Sequence, residues 1–352
     1  MTQSILIVGA GPTGLTAAVE LARQGLVPVV IEKRSDPSQL SRAVGLIPRA
    51  LAVLQPSGVA DAIKAEAIEF SGVALHVGAR RLASLPLNFD PATRIWGLPQ
   101  DRTEALLSDA LHRYGGSVHY GTAFEALTQD ASGVTVRFGS TEARFDHVIG
   151  ADGAHSPVRA ALGLDFPGYD LPGHWSIADV DSPDWRDPTM FQGFLLPHGH
   201  IVVVVPLGAQ RFRLISSTPD ALAAVPVPMS VSNLRNSGVF TISVRQVRSY
   251  QSGRVYLAGD AAHCHSPIGG RGMNLGIADA ADLAARVLAG DVTGYSAARH
   301  AEGAHVLAFS ERGRRVVQST SPLGRSLFLN AMRLVNAFPP LGRALMRQGA
   351  KA

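Results

Sequence analysis

Arg254-Val255-Tyr256-Leu257-Ala258-Gly259-Asp260-Ala261-Ala262-His263-Cys264-His265-Ser266-Pro267-Ile268-Gly269-Gly270-Arg271-Gly272-Met273-Asn274-Leu275-Gly276 is the stretch on which the fold turns. Val255 to Ala258 are apolar and predict a short buried strand. From about Met273 the chain is rich in Ala and Leu and predicts a helix closed by Gly290. The loop between them holds Gly259, Gly269, Gly270 and Gly272, one proline, Pro267, and a carboxylate of the buried type, Asp260. Glycine lets backbone approach a ligand closely, and a helix start offers unpaired N–H groups at a positive dipole end. Such a loop suits a large, planar, partly anionic ligand. Asp260 repels phosphate, so it is expected to accept from a chain of hydroxyls. A mere strand–loop–helix crossover would not need so many glycines and polar groups.

The N-terminus repeats this strand–turn–helix pattern. Ser4 to Val8 predict a strand, and Gly9-Ala10-Gly11-Pro12-Thr13-Gly14 a tight turn. A helix follows with Leu15, Ala18, Leu21 and Ala22 on one face, and Val27 to Ile31 form a second strand ending at Glu32. G-x-G-x-x-G between strand and helix, with an acid about twenty residues on, predicts dinucleotide binding. Gly9, Gly11 and Gly14 give the turn, the pyrophosphate approach and the helix–strand packing, and Glu32 takes a ribose hydroxyl pair. The unit does not separate FAD from NAD, and Lys33 and Arg34 offer partners for a 2′-phosphate.

Between these ends, Pro48 to Leu54 predict a helix, Ile68 to Leu87 short alternating strands, and Gln100 onward a helix capped by Asp101 or Thr103. Strands are expected at 118–127, 134–138 and 143–149. Gly150-Ala151-Asp152-Gly153 then leads to another helix with Pro157 in its first turn. From about Asp165 to Tyr250 helix signals fade. Antiparallel strands are expected at 191–196, 200–205, 211–216 and 239–248, forming a sheet-rich domain inserted in the nucleotide-binding one. His174, His198, His200, Trp175 and Tyr169 lie there, and residues of these types in a sheet are more often structural than catalytic. After Gly290 the pattern is helical, broken at Pro322 and Pro339-Pro340.

At 352 residues the chain exceeds one comfortable core and suggests two domains. With 46% hydrophobic and 17% charged residues it is globular rather than disordered. The single cysteine, Cys264, excludes an internal disulfide and fits a reducing, cytoplasmic compartment. No secretory leader is read in Met1 to Val8, and no apolar run approaches the ~20 residues of a membrane span. The net charge of +4 carries no basic–aromatic nucleic-acid motif. His263-Cys264-His265 lacks the second ligand pair of a zinc site, so no metal is expected. From Phe309 to Ala352 there are eight Lys or Arg against one Glu, so the tail is the basic part.

Three motifs in order, Gly9–Gly14 with Glu32, Gly150-Ala151-Asp152-Gly153 through Arg159, and Gly259-Asp260 through Asn274, resemble the single-component FAD-dependent aromatic hydroxylases, the family of para-hydroxybenzoate hydroxylase. The third motif, with Asp279 after it, is most similar to the aromatic polyketide and phenol hydroxylases, and the helical tail is similar to that of ubiquinone-biosynthesis hydroxylases. The resemblance covers nearly the whole chain. It implies an α/β fold: a Rossmann-like FAD-binding domain in three pieces, 1–72, 99–164 and 252–320, an inserted antiparallel substrate sheet at 73–98 and 165–251, and a helical tail at 321–352. It implies that the first motif binds the ADP half of FAD, that Asp152 is tied to FAD and NAD(P)H, and that Asp260 holds the ribityl chain. Arg42 and Gln100 match positions that contact FAD or the pyridine nucleotide, and Pro267 the proline beside the flavin ring; Arg42 and Pro267 are thus the catalytic candidates. Gly270, Gly272, Met273 and Asn274 belong to the flavin-edge helix start.

The chemistry implied is reduction of FAD by NAD(P)H, O₂ addition to form a flavin hydroperoxide, and oxygen transfer to an aromatic or quinone-like small molecule. Baeyer–Villiger oxygenation, oxygen-independent hydride transfer and a ligand-sequestering flavoprotein share the same motifs and stand as rivals. No Trp-x-Trp-x-Ile-Pro stretch is present, which disfavours a halogenase. Arg271 stands where close relatives are expected to carry Gln. The tail has apolar Leu323, Leu327, Phe328, Met332, Val335 and Phe338 among Arg325, Arg333, Arg343, Arg347 and Lys351. The favoured reading packs it on the nucleotide domain, and the alternative lays it on anionic lipid. Neither the oligomeric state nor the substrate's base is read from the sequence.

Overall fold

The computed structural model describes residues 3–38 and 43–351, the Lys351 side chain excepted. Its central sheet runs Gln251–Ser252, Val255–Leu257, His147–Gly150, Ile5–Val8, Val29–Ile31, Val118–His119. All neighbours are parallel except the first pair. Ile5–Val8 is wholly buried, as a central parallel strand covered on both faces must be. On one side it pairs with Val29–Ile31 and on the other with His147–Gly150. The strand order therefore reverses there, which opens a crevice beyond the carboxyl ends of these strands.

The second sheet has seven strands, in the order Asn233–Phe240, Trp175–Asp181, Arg211–Ser216, Ile201–Pro206, Met190–Leu195, Gly72–Val77, Arg80–Pro86. Period-two alternation gives it two different faces. Ala178, Val180, Phe194, Val202, Val204, Phe212 and Leu214 pack on one face with Trp185, under Leu222, Val227 and Met229. On the other face Leu75, Leu195, Ile201 and Ile215 join Ile268 of the glycine loop and Val317 and Phe328 of the helical tail. This face looks toward the glycine loop.

Three differences from expectation have physical causes. The helix Gln100–Arg113 starts behind Pro99 and has no side-chain cap; Thr103 Oγ1 instead donates to the Pro99 carbonyl at 3.4 Å. Trp175–Asp181 is a central strand that the sequence concealed, because it carries Asp179 and Asp181. Ser243–Gln246, expected in the inserted sheet, pairs instead with Gly168–Asp170 and with His263–Cys264 of the glycine loop.

The tail forms the helices Tyr295–Val317, Pro322–Ala337 and Pro339–Lys351, the last two opening on the expected prolines. They dock on the substrate sheet rather than on the nucleotide domain alone. The two final helices lie along the edge strand Arg80–Pro86. Asn336 Oδ1 accepts the Ser84 N–H at 2.9 Å, and Arg347 pairs with Asp90 at 2.6 Å. Leu323, Leu327, Leu334, Phe338 and Leu341 remain exposed. Among the described residues no helix is long and apolar enough to cross a membrane.

Candidate cofactor site

The first wall of the crevice is the turn after Ile5–Val8. A Cβ on Gly14 would overlap the Gly9 carbonyl oxygen, and one on Gly9 the Ala151 carbonyl oxygen. These two glycines let the turn, the helix Pro12–Ala22 and the Gly150-Ala151 strand end close on one another. Gly11 is different: nothing lies within 4 Å of a Cβ placed there. It is the N-cap, without a side-chain cap and with no acid in the first turn. An uncapped helix start in an open position is an anion site by its own N–H groups and dipole.

Glu32 closes the second strand and is buried. Its carboxylate accepts the Ala10 N–H at 2.8 Å and the Arg34 N–H at 3.0 Å, and pairs with Arg34 Nε at 3.1 Å. Burial alone would raise its pKa, but the Arg34 hydrogen bond and the two backbone donors hold it below the ordinary range. Arg34 also reaches Glu104, 3.6 Å away, so its charge is engaged by two carboxylates. This disfavours Arg34 as a partner for a 2′-phosphate. Lys33 is exposed. Burial pushes the Glu104 carboxyl up. Gln100 donates to Glu104 at 2.8 Å and accepts the Ala43 N–H at 3.2 Å. Arg42, next in line, lies outside the described residues.

Across the crevice, Asp152 Oδ2 accepts the Val158 N–H at 3.0 Å. Its other oxygen, Oδ1, is buried without a hydrogen-bond partner, and burial raises the pKa of the group. Asp152 thus presents an unmatched acceptor at the strand-order switch.

The third wall is the glycine loop. Asp260 is exposed and its carboxylate accepts no hydrogen bond from the described residues, contrary to the buried type expected. The reason is its setting: it is the middle residue of a 3-10 turn, Gly259–Ala261, whose other two residues are buried while Asp260 is exposed. Gly259 is also corrected in part. Thr13 Oγ1 lies 2.5 Å from where its Cβ would stand, and Thr13 likewise fills the space against Gly276, so these glycines serve contact between the two walls. Pro267 is half-buried, and its carbonyl accepts the Gly270 N–H at 2.9 Å. Gly270 is exposed with nothing within 4 Å of a Cβ.

The helix Gly272–Ala289 then begins, capped by no side chain and with no acid in its first turn. Met273 is buried. Asn274 is fixed by protein: it accepts the Ile47 N–H at 3.0 Å and donates to the carbonyls of Gly45 at 2.8 Å and Gly270 at 3.0 Å. It is a staple across the loop.

Two clusters escaped the sequence reading, although Asp279 itself stands in the third motif. Asp279, in the middle of this helix, accepts from Gly259 N–H, His263 Nε2 and Arg299 Nε. Arg213, on the loop-facing side of the second sheet, makes two 2.7 Å bonds to Asp179, and its Nη1 reaches the Ala43 carbonyl at 3.5 Å. Both centres pair residues distant in sequence, so no local motif announces them. The histidines and the tyrosine of the inserted sheet are not brought together. Tyr169 donates to Glu311 at 2.6 Å, His200 contacts the Ser217 carbonyl, and His174 and His198 are exposed.

Two uncapped helix starts, a buried acid after the second strand and a free carboxylate, all around one strand-order switch, define a dinucleotide-binding α/β protein with an inserted sheet. The chain belongs to the FAD binding domain family, whose model matches residues 2–224 and 219–319. The resemblance to the para-hydroxybenzoate hydroxylase-like flavoprotein monooxygenases is thereby borne out at the level of family. Rifampicin monooxygenase of Streptomyces venezuelae is 34% identical over 350 residues, covering 90% of this chain and 72% of that protein. The 12-dehydrotetracycline 5-monooxygenase/anhydrotetracycline 6-monooxygenase of Streptomyces rimosus is 33% identical over 316 residues, covering 80% of this chain. The match takes in 62% of that enzyme's length. Aklavinone-11 hydroxylase, solved with FAD and aklavinone, superposes with a TM-score of 0.75 at 27% identity over 89% of this chain and 68% of that one.

Proposed function

We propose that the chain binds FAD in this crevice and acts as an NAD(P)H-consuming monooxygenase that hydroxylates an aromatic or polyketide-like small molecule. The observation that supports this most is the set of donors and acceptors around the switch point that take no protein partner among the described residues. Gly11 and Gly270 are open, both helix starts lack acids, and the Asp260 carboxylate accepts no hydrogen bond from the described residues. These fit a long ligand with a pyrophosphate in the middle, hydroxyls on either side and an anionic ring edge at one end.

In this reading Glu32 holds the ribose of the adenosine half, and the start of Pro12–Ala22 holds the pyrophosphate. Asp260 takes the ribityl hydroxyls, and Asp152 offers Oδ1 beside them. The N–H groups at Gly272 and Met273 favour negative charge on the ring. Pro267 is assigned to the ring, and Gln100 and Arg42, the latter outside the described residues, to FAD or the pyridine nucleotide. Bound FAD supplies two-electron chemistry with NAD(P)H and O₂.

The protein's share is position and exclusion of water. The half-buried Leu75, Ile177, Val203 and Ile215 on the loop-facing side of the second sheet make an apolar wall opposite Ile268. An apolar wall with one polar corner, Asp179–Arg213, suits a flat, mostly hydrophobic substrate. The chain has one G-x-G-x-x-G turn, so NAD(P)H is expected to bind without a dinucleotide domain of its own.

The test is to purify the protein, record its absorbance for bound flavin, and follow NAD(P)H oxidation across phenols and polyketide aromatics under isotopically labelled O₂. Substrate-stimulated oxidation with one labelled oxygen in the product supports the reading. A lactone or ester product would assign Baeyer–Villiger chemistry. Turnover unaffected by removing O₂ would assign hydride transfer, and binding without NAD(P)H oxidation would leave a ligand-sequestering protein.

A further inference from the structure

Asp279 lies wholly inside the protein, yet its carboxylate accepts three hydrogen bonds. Oδ2 accepts the Gly259 N–H at 3.0 Å and the His263 Nε2 proton at 2.6 Å, and Oδ1 accepts Arg299 Nε at 2.7 Å. These donors come from three elements: the 3-10 turn Gly259–Ala261, the strand His263–Cys264 and the helix Tyr295–Val317. Tyr250 and Tyr295 wall the cluster off; the Tyr295 hydroxyl donates to the Leu257 carbonyl at 2.9 Å.

The far end of the turn is held by the Ala262 N–H on the Gly259 carbonyl at 2.8 Å and by Arg159 Nη1 on the Ala261 carbonyl at 2.9 Å, and its near end by Asp279. Gly259 has a φ of +62°, and its Cα is pressed against Thr13. Its N–H points into the protein to Asp279, while the next residue, Asp260, points its carboxylate out. Asp279 thus fixes the entry of the turn, one residue before the side chain of Asp260 leaves it.

We infer that Asp279, charge-balanced by Arg299, is the positioning residue for Asp260, so that this buried cluster sets FAD affinity without touching FAD. The inference rests on the proposed role of Asp260. Burial opposes the charge on Asp279, but His263, Arg299 and the Gly259 N–H outweigh it and hold the carboxyl below its ordinary range. An asparagine at 279 has one acceptor where the cluster needs two, so it releases either the turn or Arg299.

The experiment titrates apo-protein with FAD, read by quenching of flavin fluorescence, and records the apo-protein's Tm. Asp260→Ala, Asp279→Asn and the double variant form a cycle. Phe212→Leu, which loosens the core on the face of the second sheet turned away from the glycine loop, reports loss of stability alone. Wild type is expected to bind FAD, and each single variant of the cycle to weaken it at least about tenfold. The double variant is expected to bind no more weakly than Asp260→Ala, because both act through one contact. Phe212→Leu is expected to lower Tm while leaving FAD affinity within about twofold.

Losses that multiply in the double variant, or an Asp279→Asn that lowers Tm alone, would overturn the inference. Absence of FAD binding by wild type would instead overturn the proposed function. Should Asp279→Asn fail to fold, Arg299→Gln removes the balancing charge but keeps a donor for Oδ1. Its smaller affinity loss is expected to vanish in the Asp260→Ala background, and a loss that persists there overturns the inference.

Discussion

The turn at Gly9–Gly14 and the loop at Gly259–Gly272 face each other across the crevice and meet through Thr13, yet they are held in different ways. The first is fixed by what is missing: side chains at Gly9 and Gly14 would collide with main-chain oxygens. The second is fixed by what is present: Asp279, His263, Arg299 and Asn274 pin it with buried polar contacts. A wall made by sterics is rigid and local. A wall made by a charged cluster depends on elements that arrive later in the chain, and it responds to any change of charge.

The largest effect expected from that difference is at Gly14. Gly14→Ala puts a methyl onto the Gly9 carbonyl, which neither wall can move to accommodate, and costs about 3 kcal/mol or more as forced overpacking. Chemical denaturation of the apo-protein measures it. Gly11→Ala, two short steps away, meets no atom within 4 Å and should leave the midpoint unchanged while weakening FAD. Equal stability losses at both positions would show that the first wall is not steric in origin.

On the second wall, Asn274→Ala leaves two carbonyls and the Ile47 N–H without partners. Buried unsatisfied groups cost about 1–3 kcal/mol each, but the carbonyls lie near solvent at Gly270, so a net loss of about 2–3 kcal/mol is expected. Asn274→Asp should restore the Ile47 contact but not the two donated bonds, and recover a minor part of the loss. Full recovery would mean that one contact carries the staple.

These contrasts explain what was legible. The place of the Gly9–Gly14 turn and of Glu32 in the fold was legible because their signal is contiguous. The same holds for the helix Pro48–Leu54, the Gly290 stop with φ +69°, and the proline starts at 322 and 339. Each is a local rule about φ or a missing donor. Asp279 was noticed only as part of a motif, since its partners lie 16 to 20 residues away and meet it through space. Asp179 and Arg213 read as ordinary charges on a half-exposed strand, because a buried ion pair leaves the same letters as a solvated one. The exposure of Asp260 was missed because one exposed residue between two buried ones is not separable from them in sequence.

Titration sharpens the comparison further, since the first wall also carries two buried glutamates with opposite shifts. Glu32 has its pKa depressed in the folded state, so its stabilisation is full above the unfolded value of about 4.3 and is lost as pH falls through the folded value. Glu104 has its pKa raised, so its ionisation destabilises the fold, and stability is gained as pH falls through the raised value towards about 4.3. Urea midpoints against pH should therefore change slope in the Glu104→Gln variant only above about 4.3. In Glu32→Gln the slope should change only below it. A Glu104→Gln profile identical to wild type would place that carboxyl in water.

The smallest effect expected lies where the second wall meets the tail. Arg271, the N-cap of the helix Gly272–Ala289, donates through Nη2 to the Gly349 carbonyl and lies over Phe309 at 5.7 Å, while its Nε has no partner. A cation beside the last turn of a helix meets its unpaired carbonyls and its negative dipole end. The residue that departs from the expected Gln therefore ties the end of the tail to the flavin-side loop, rather than standing free beside the ring. Arg271→Gln keeps a neutral donor and should loosen only the last helix, by about 1 kcal/mol, because Arg347–Asp90 and Asn336–Ser84 still hold the tail to the sheet edge. The measure is the rate of limited proteolysis near Arg343 and Arg347, read by mass spectrometry. Cleavage there should rise about fivefold, with the global denaturation midpoint and FAD affinity unchanged. A fall in FAD affinity that tracks the proteolysis rate would make the tail part of the second wall, and an unchanged rate would show that the sheet-edge contacts alone secure it.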